Sequence, residues 1–237
     1  MTEPRVVALN HVGVSVADLD RARDFWTSLG AEDHGGFAWP VGTAPADESL
    51  ATPDTAASVA ILRTDAAFLE LFAFSSPAPA ARPAGAPGVT ELVWAVPPGA
   101  ATGRTTCPDG TPIALVPAGD GPCGLVGVRV QVPAPSAHPL PPVPGPVSVA
   151  VDGGADGTPA RPVDLGVNHL CLDVAGIAPL RSSLAAGVDW HHDVTESSGG
   201  IAAVCYGTTH DGVLVELLES RTDDAFLARC RLARPEG

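Results

Sequence analysis

Lysine is absent from this 237-residue chain: its 13 basic residues are all arginine, set against 27 acidic ones for a net charge of −14. So acidic a surface excludes nucleic acid and anionic membranes as partners, because both are held by basic groups. Long apolar runs are missing too. None reaches the roughly 18 residues of a membrane span, and the stretch "MTEPRVVALNH" has no secretory apolar segment, so a cytoplasmic protein is expected. Cysteines are few: Cys107, Cys123, Cys171, Cys205 and Cys230 are odd in number and form no CxxC pair. That disfavours a disulfide framework and a structural zinc site, leaving thiols that pack as small apolar groups. What the chain does hold is 45% apolar residues, enough for a large core.

In "LNHVGVSV", residues 9–16, Val12, Val14 and Val16 alternate with His11, Gly13 and Ser15, the pattern of a strand with one buried face. "ADLDRARDFWTSLG" follows as an amphipathic helix, with Asp18 as its cap, Leu19, Ala22, Phe25 or Trp26, and Leu29 at helical spacing, and Gly30 as its stop. Residues 36–57 predict a ragged strand and a long loop. "SVAILRT" and "AFLELFAF" then read as a hairpin across Asp65 and Ala66.

The order returns near the other end. "GVNHLCLDV" is a strand with His169, Cys171 and Asp173 on one face and Leu170, Leu172 and Val174 on the other. "AGIAPLRSSLAAG" is a helix with Ile177, Leu180 and Leu184 inside, Pro179 in its first turn and Gly187 as its stop. After "VDWHHDV", the strands "IAAVCYGT" and "VLVELLES" join across "THDG". From His11 to Gly30 is 19 positions and from His169 to Gly187 is 18; His11 to Glu70 is 59 and His169 to Glu216 is 47, the difference falling in the loop-rich stretch before Ser58. This is an internal repeat of a βαβββ unit. The expected fold is α+β: complete modules at 6–75 and 165–220 pair into a cupped mixed sheet, with a degenerate β-rich segment at 88–152 between them. In that middle, "CPDGTPIALVP" has the form of a repeat's end with Ala114 where the glutamate would stand, so two decayed modules or a plain insertion both fit.

Each complete module offers a histidine near its start and a glutamate on its last strand. Pairing the modules would bring His11, Glu70, His169 and Glu216 together as an open site for a divalent transition metal. Singly, a strand histidine is more often a hydrogen-bonded core residue, and a glutamate within "FLELFAF" a buried acid paired with arginine. Recurrence of both residue types in both copies favours the ligand reading.

"LNHVGVSVADLDRARDFWTSLG" with "AFLELFAF", and "VNHLCLDV" with "HDGVLVELLES", resemble the vicinal oxygen chelate superfamily, nearest its glyoxalase I and methylmalonyl-CoA epimerase branch. The resemblance covers residues 6–75 and 165–220. It implies a metal held by His11, Glu70, His169 and Glu216, whether nickel, cobalt, manganese, zinc or iron. The implied enzyme acts on a small carbonyl-containing substrate through an enolate or enediolate, by isomerase, epimerase or lyase chemistry, in a monomer or homodimer. Glu216 is the first candidate base and Glu70 the second, with the Tyr206 hydroxyl as a donor to substrate. A place in specialised metabolism suits the eroded middle segment. Glu48, His191, His192, His210, Trp39 and Trp190 are weaker candidates for the cup. Cys171 reads as a small filler, lacking a paired base. An extradiol-type dioxygenase and a non-enzymatic metabolite-binding protein are the alternatives. The fourth ligand weighs against the former and the intact quartet against the latter.

Overall fold

The computed structural model describes residues 3–197 and 202–221; Ile201, the first residue of an expected strand, and Cys230 lie outside them. In chain order the elements are β1 (Arg5–Ser15), α1 (Leu19–Ser28), β2 (Glu32–Trp39), α2 (Ala44–Ser49), β3 (Ala56–Arg63) and β4 (Phe68–Ser76). Next come β5 (Gly88–Val96), β6 (Gly103–Thr106), β7 (Pro112–Pro117), β8 (Gly124–Val132) and β9 (Ser148–Gly153). The last group is β10 (Gly166–Ala175), α3 (Ile177–Leu184), β11 (Val188–Trp190), β12 (Thr195–Glu196), β13 (Ala202–Thr209) and β14 (Leu214–Ser220). The fold is α+β, with few helices on mixed sheets, as expected.

The first and last groups share one sheet in the order β11-β13-β14-β10-β1-β4-β3-β2, with β12 beside β13. At its centre β1 and β10 run antiparallel, and each has its own group's last strand parallel to it, β4 on β1 and β14 on β10. The middle strands form a second sheet, β6-β7-β5-β8-β9, in which β5 and β8 are antiparallel, β7 is parallel to β5 and β9 parallel to β8.

Local chemistry sets these elements. The Asp18 carboxylate accepts the Arg21 amide at 3.0 Å and starts α1, and Gly30, at φ +95, takes the left-handed turn that ends it. α3 stops earlier than expected, at Leu184, and the Gly187 amide returns to Leu184 O at 3.0 Å in the following turn. The helix face of α1 buries Trp26, whose ring centroid lies 5.0 Å from that of Trp94 on β5, and the Trp94 indole N–H donates to Leu29 O at 3.0 Å. α1 therefore joins the two sheets through one core that also takes in Val12, Val14, Leu170, Leu172, Leu92 and Val128. Burying an aromatic or aliphatic side chain of this kind contributes about 2 kcal/mol.

The alternation read from the sequence is present: β10 turns Leu170, Leu172 and Val174 into this core and leaves His169, Cys171 and Asp173 for the opposite, concave face. That face is buried as well, since the stretch containing α2 closes over it. The expected long loop at 36–57 is thus partly helical. β6 and β12 were equally unforeseen by the pattern of the sequence.

Candidate functional site

Strand register sets the site. Across β1 and β10, His11 faces Cys171 and Gly13 faces His169; β4 places Glu70 beside Gly13, and β14 places Glu216 beside Cys171. All four expected residues meet on the concave face, from one chain, each 6% exposed or less. His11 Nε2 lies 3.1 Å from His169 Nε2, 3.5 Å from Glu70 Oε2 and 3.2 Å from Glu216 Oε2, and His169 Nε2 lies 3.6 Å from Glu216 Oε2.

Two asparagines missing from the sequence reading orient the imidazoles. His11 Nδ1 is 3.0 Å from Asn10 Oδ1, and His169 Nδ1 is 2.7 Å from Asn168 Oδ1. An amide oxygen only accepts, so each ring carries its proton on Nδ1. For Asn168 the amide orientation is fixed, because its NH₂ donates to Ser15 Oγ at 3.0 Å while Ser15 donates to Pro162 O. The signal was available: an Asn-His dipeptide stands at the same place in both modules.

With Nδ1 protonated, both Nε2 atoms present lone pairs to one another and to two carboxylates. Four acceptors converge, and Glu216 Oε2 is buried with no hydrogen-bond donor. In low dielectric such an arrangement calls for a cation at its centre. Two imidazoles with two carboxylates suit a divalent transition metal. His11, Glu70 and His169 offer donor atoms all within 4.8 Å of one another, and so do His11, Cys171 and Glu216.

Titration behaviour follows the same field. Burial pushes the Glu216 carboxyl up, but the facing His11 and His169 rings, which would donate to it and carry charge once protonated on Nε2, outweigh that and hold the group well below the carboxylate range. Burial pulls His11 down, yet Glu70 and then Glu216 bring it above its ordinary value. Burial, with the charges of Glu216 and Glu70, pushes both the Cys171 thiol and the Tyr206 hydroxyl well above their usual ranges, so both keep their protons.

Beside the cluster opens a cavity of about 320 Å³ lined by Phe37, Trp39, Leu50, Phe72, Glu70, His169 and Tyr206 among others. Tyr206 pairs with Glu216 across β13 and β14, and its ring lies 5.7 Å from that of His169. Of the weaker candidates, Trp39 lines this cavity. Trp190 packs instead on the core and under Arg181, whose guanidinium carbon is 5.6 Å from its ring. His191 and His192 follow the end of β11: His191 Nδ1 donates to Ser49 O at 2.8 Å, and His192 Nε2 is 3.3 Å from Ser49 Oγ. Both therefore tie the end of α2 to the last module. Glu48 is exposed on α2, and His210 is exposed in its turn, 3.5 Å from Asp189, away from the cup.

The architecture is similar to that of solved structures of low sequence identity. Glyoxalase I from Zea mays has a TM-score of 0.64 at 13% identity, over 95% of this chain and 95% of that one. A candidate dioxygenase from Bacillus subtilis subsp. subtilis str. 168 has a TM-score of 0.62 at 11% identity, over 96% of this chain and 89% of that one. No protein-family model and no curated protein matches the chain by sequence. At such identities the likeness fixes the fold, and the chemistry is read from the side chains. Among the described residues, no helix is long and apolar enough to cross a membrane.

Proposed function

We propose that His11, Glu70, His169 and Glu216 hold one divalent transition metal. The protein is then a metal-dependent enzyme of the glyoxalase and epimerase type, acting on a small, uncharged carbonyl-containing molecule. The observation that carries this reading is the convergence of two Nε2 lone pairs and two carboxylates, within 3.1–3.6 Å along the four measured pairs, on a buried floor beside an open cavity. When bound, the metal would supply Lewis acidity, stabilising negative charge that develops on substrate oxygens.

The protein's own groups do the rest. Glu216, held ionised by its histidine neighbours, serves as the base that takes a proton from the carbon next to the carbonyl, with Glu70 as the second candidate. Tyr206, which keeps its proton, donates to a substrate oxygen. Phe37, Trp39, Leu50 and Phe72 exclude water, and among the described residues no arginine lines the cavity to receive a phosphate or carboxylate. An extradiol dioxygenase would use two histidines and one carboxylate and leave positions open, whereas here a second carboxylate joins the cluster.

Metal analysis of the purified full chain, together with proton exchange into small hydroxyketones in deuterated water, tests this. One divalent metal per chain is expected, with exchange lost in Glu216→Gln. Absence of bound metal after loading, or full exchange in Glu216→Gln, would sink the reading, and oxygen uptake with catechols would replace it by the dioxygenase.

A further inference from the structure

We propose that Cys171 is a fifth donor to the same ion and biases the site toward thiophilic metals, an inference that rests on the four-ligand reading above. The two modules are related by the antiparallel pair β1 and β10, and Gly13 and Cys171 hold corresponding places, each two residues after its histidine and each opposite the other histidine. They are not interchangeable. A Cβ on Gly13 would stand 2.2 Å from His169 Cε1, so that side must stay empty. On the other side the position carries a sulfur, wholly buried, beside Glu216 on β14 and opposite His11 on β1.

Donor atoms of His11, Cys171 and Glu216 lie within 4.8 Å of one another, in the same span as the set of His11, Glu70 and His169. His11 belongs to both sets, and its Nε2 lies 3.2 Å from Oε2 of the buried Glu216, so the sulfur adjoins the cluster along its His11–Glu216 edge. On coordination the thiol proton passes to solvent and sulfur binds as thiolate. A soft donor of that kind favours zinc and cobalt over manganese and magnesium. The competing account is that Cys171 merely fills space beside Ala202 and Leu218.

Cobalt(II) titration of the metal-free full chain separates the accounts, comparing the natural protein with Cys171→Ser and Cys171→Ala. In the natural protein a near-ultraviolet sulfur-to-cobalt charge-transfer band should grow with bound cobalt and saturate at one equivalent. In both variants the stoichiometry and the weak visible ligand-field bands should stay while that band is lost, and the zinc-to-manganese affinity ratio should fall. X-ray absorption at the zinc edge of the natural protein needs no variant and should find one sulfur at about 2.3 Å. Bound metal with no thiol-dependent band and no sulfur neighbour overturns the proposal and leaves the four-ligand site standing. Failure of cobalt and zinc to bind the natural protein overturns that site instead, and this inference with it.

Discussion

Gly13 lies opposite His169 across β1 and β10, and a methyl group on Gly13 would stand 2.2 Å from His169 Nδ1 and 2.4 Å from Asn168 Oδ1. Gly13→Ala must therefore push the imidazole off its asparagine. Loss of an orienting partner of this kind typically costs 10–100-fold in metal affinity, and about that loss is expected here. The overpacking itself should cost about 1–3 kcal/mol of stability. Metal titration beside urea unfolding measures both, and unchanged metal affinity in the variant would show that His169 is no ligand.

Asn168 allows a finer test, because its carbonyl oxygen and its NH₂ have separate partners, His169 Nδ1 and Ser15 Oγ. Asn168→Asp keeps an acceptor for the imidazole N–H, whereas Asn168→Leu removes it. The leucine variant should lose metal affinity by about 10–100-fold and the aspartate variant should not. Equal losses in the two would mean that the Ser15 bond, not the histidine bond, matters.

These asparagines mark where reading from sequence stopped. His11, Glu70, His169 and Glu216 were legible because strand alternation and the repeat each pointed to them, and the paired sheet followed from the same periodicity. Asn10 and Asn168 were just as repeated, but a polar residue before a strand histidine has no periodic meaning until the ring's hydrogen bond is seen. α2 has no apolar stripe, only Pro45 and Asp47 in its first turn, so its composition reads as loop. His191 and His192 follow a strand that ends at Trp190, so strand alternation does not tell where either ring points.

Protons and metal compete for the same Nε2 atoms, which gives the site a pH signature. His11 has a raised pKa in the folded chain, so the stability it gains from its proton is fully present below the unfolded value and is lost as the pH rises through the folded one. Metal stabilisation runs the other way, appearing as that proton leaves. The rise in Tm on adding zinc, against a chelator control, should grow with pH across this window. At a free concentration 100 times Kd it should correspond to about 2.7 kcal/mol. A shift independent of pH would exclude His11 from the site.

Asp47 should control substrate binding without touching substrate. Its carboxylate accepts from the Thr55 amide at 2.7 Å, the Thr55 hydroxyl at 2.6 Å and the Asp54 amide at 3.1 Å, and Thr55 Oγ in turn receives the Trp39 indole N–H at 3.1 Å. These bonds, the Thr55 hydroxyl foremost, hold the Asp47 carboxyl below its usual range. Trp39 is a wall of the cavity, so Asp47→Ala should free it, raising KM while kcat and metal content stay near those of the natural protein. Steady-state kinetics with Trp39 fluorescence would register this, and a fall in kcat alone would argue for a different role.

The smaller sheet should bind no metal, although its strands pair in the same order as those of the larger sheet. By register, the places of His11, Glu70, His169 and Glu216 are taken there by Glu91, Ala114, Gly127 and Ala150. Only one of the four can ligate, and it is already engaged: buried Glu91 forms ion pairs with Arg104 Nη1 and Arg129 Nε, each at 2.8 Å. The arginine that faces it, Arg129, stands where Cys171 stands in the larger sheet, so an internal cation meets this carboxylate. Removing the acid lets two largely exposed arginines return to water, and Glu91→Ala should cost only about 1 kcal/mol. Arg129→Ala should cost more, because it leaves the buried carboxylate with Arg104 alone. Elemental analysis should give one metal per chain in the natural protein and in both variants. A second equivalent, or a larger loss of stability in Glu91→Ala than in Arg129→Ala, would refute this account of the smaller sheet.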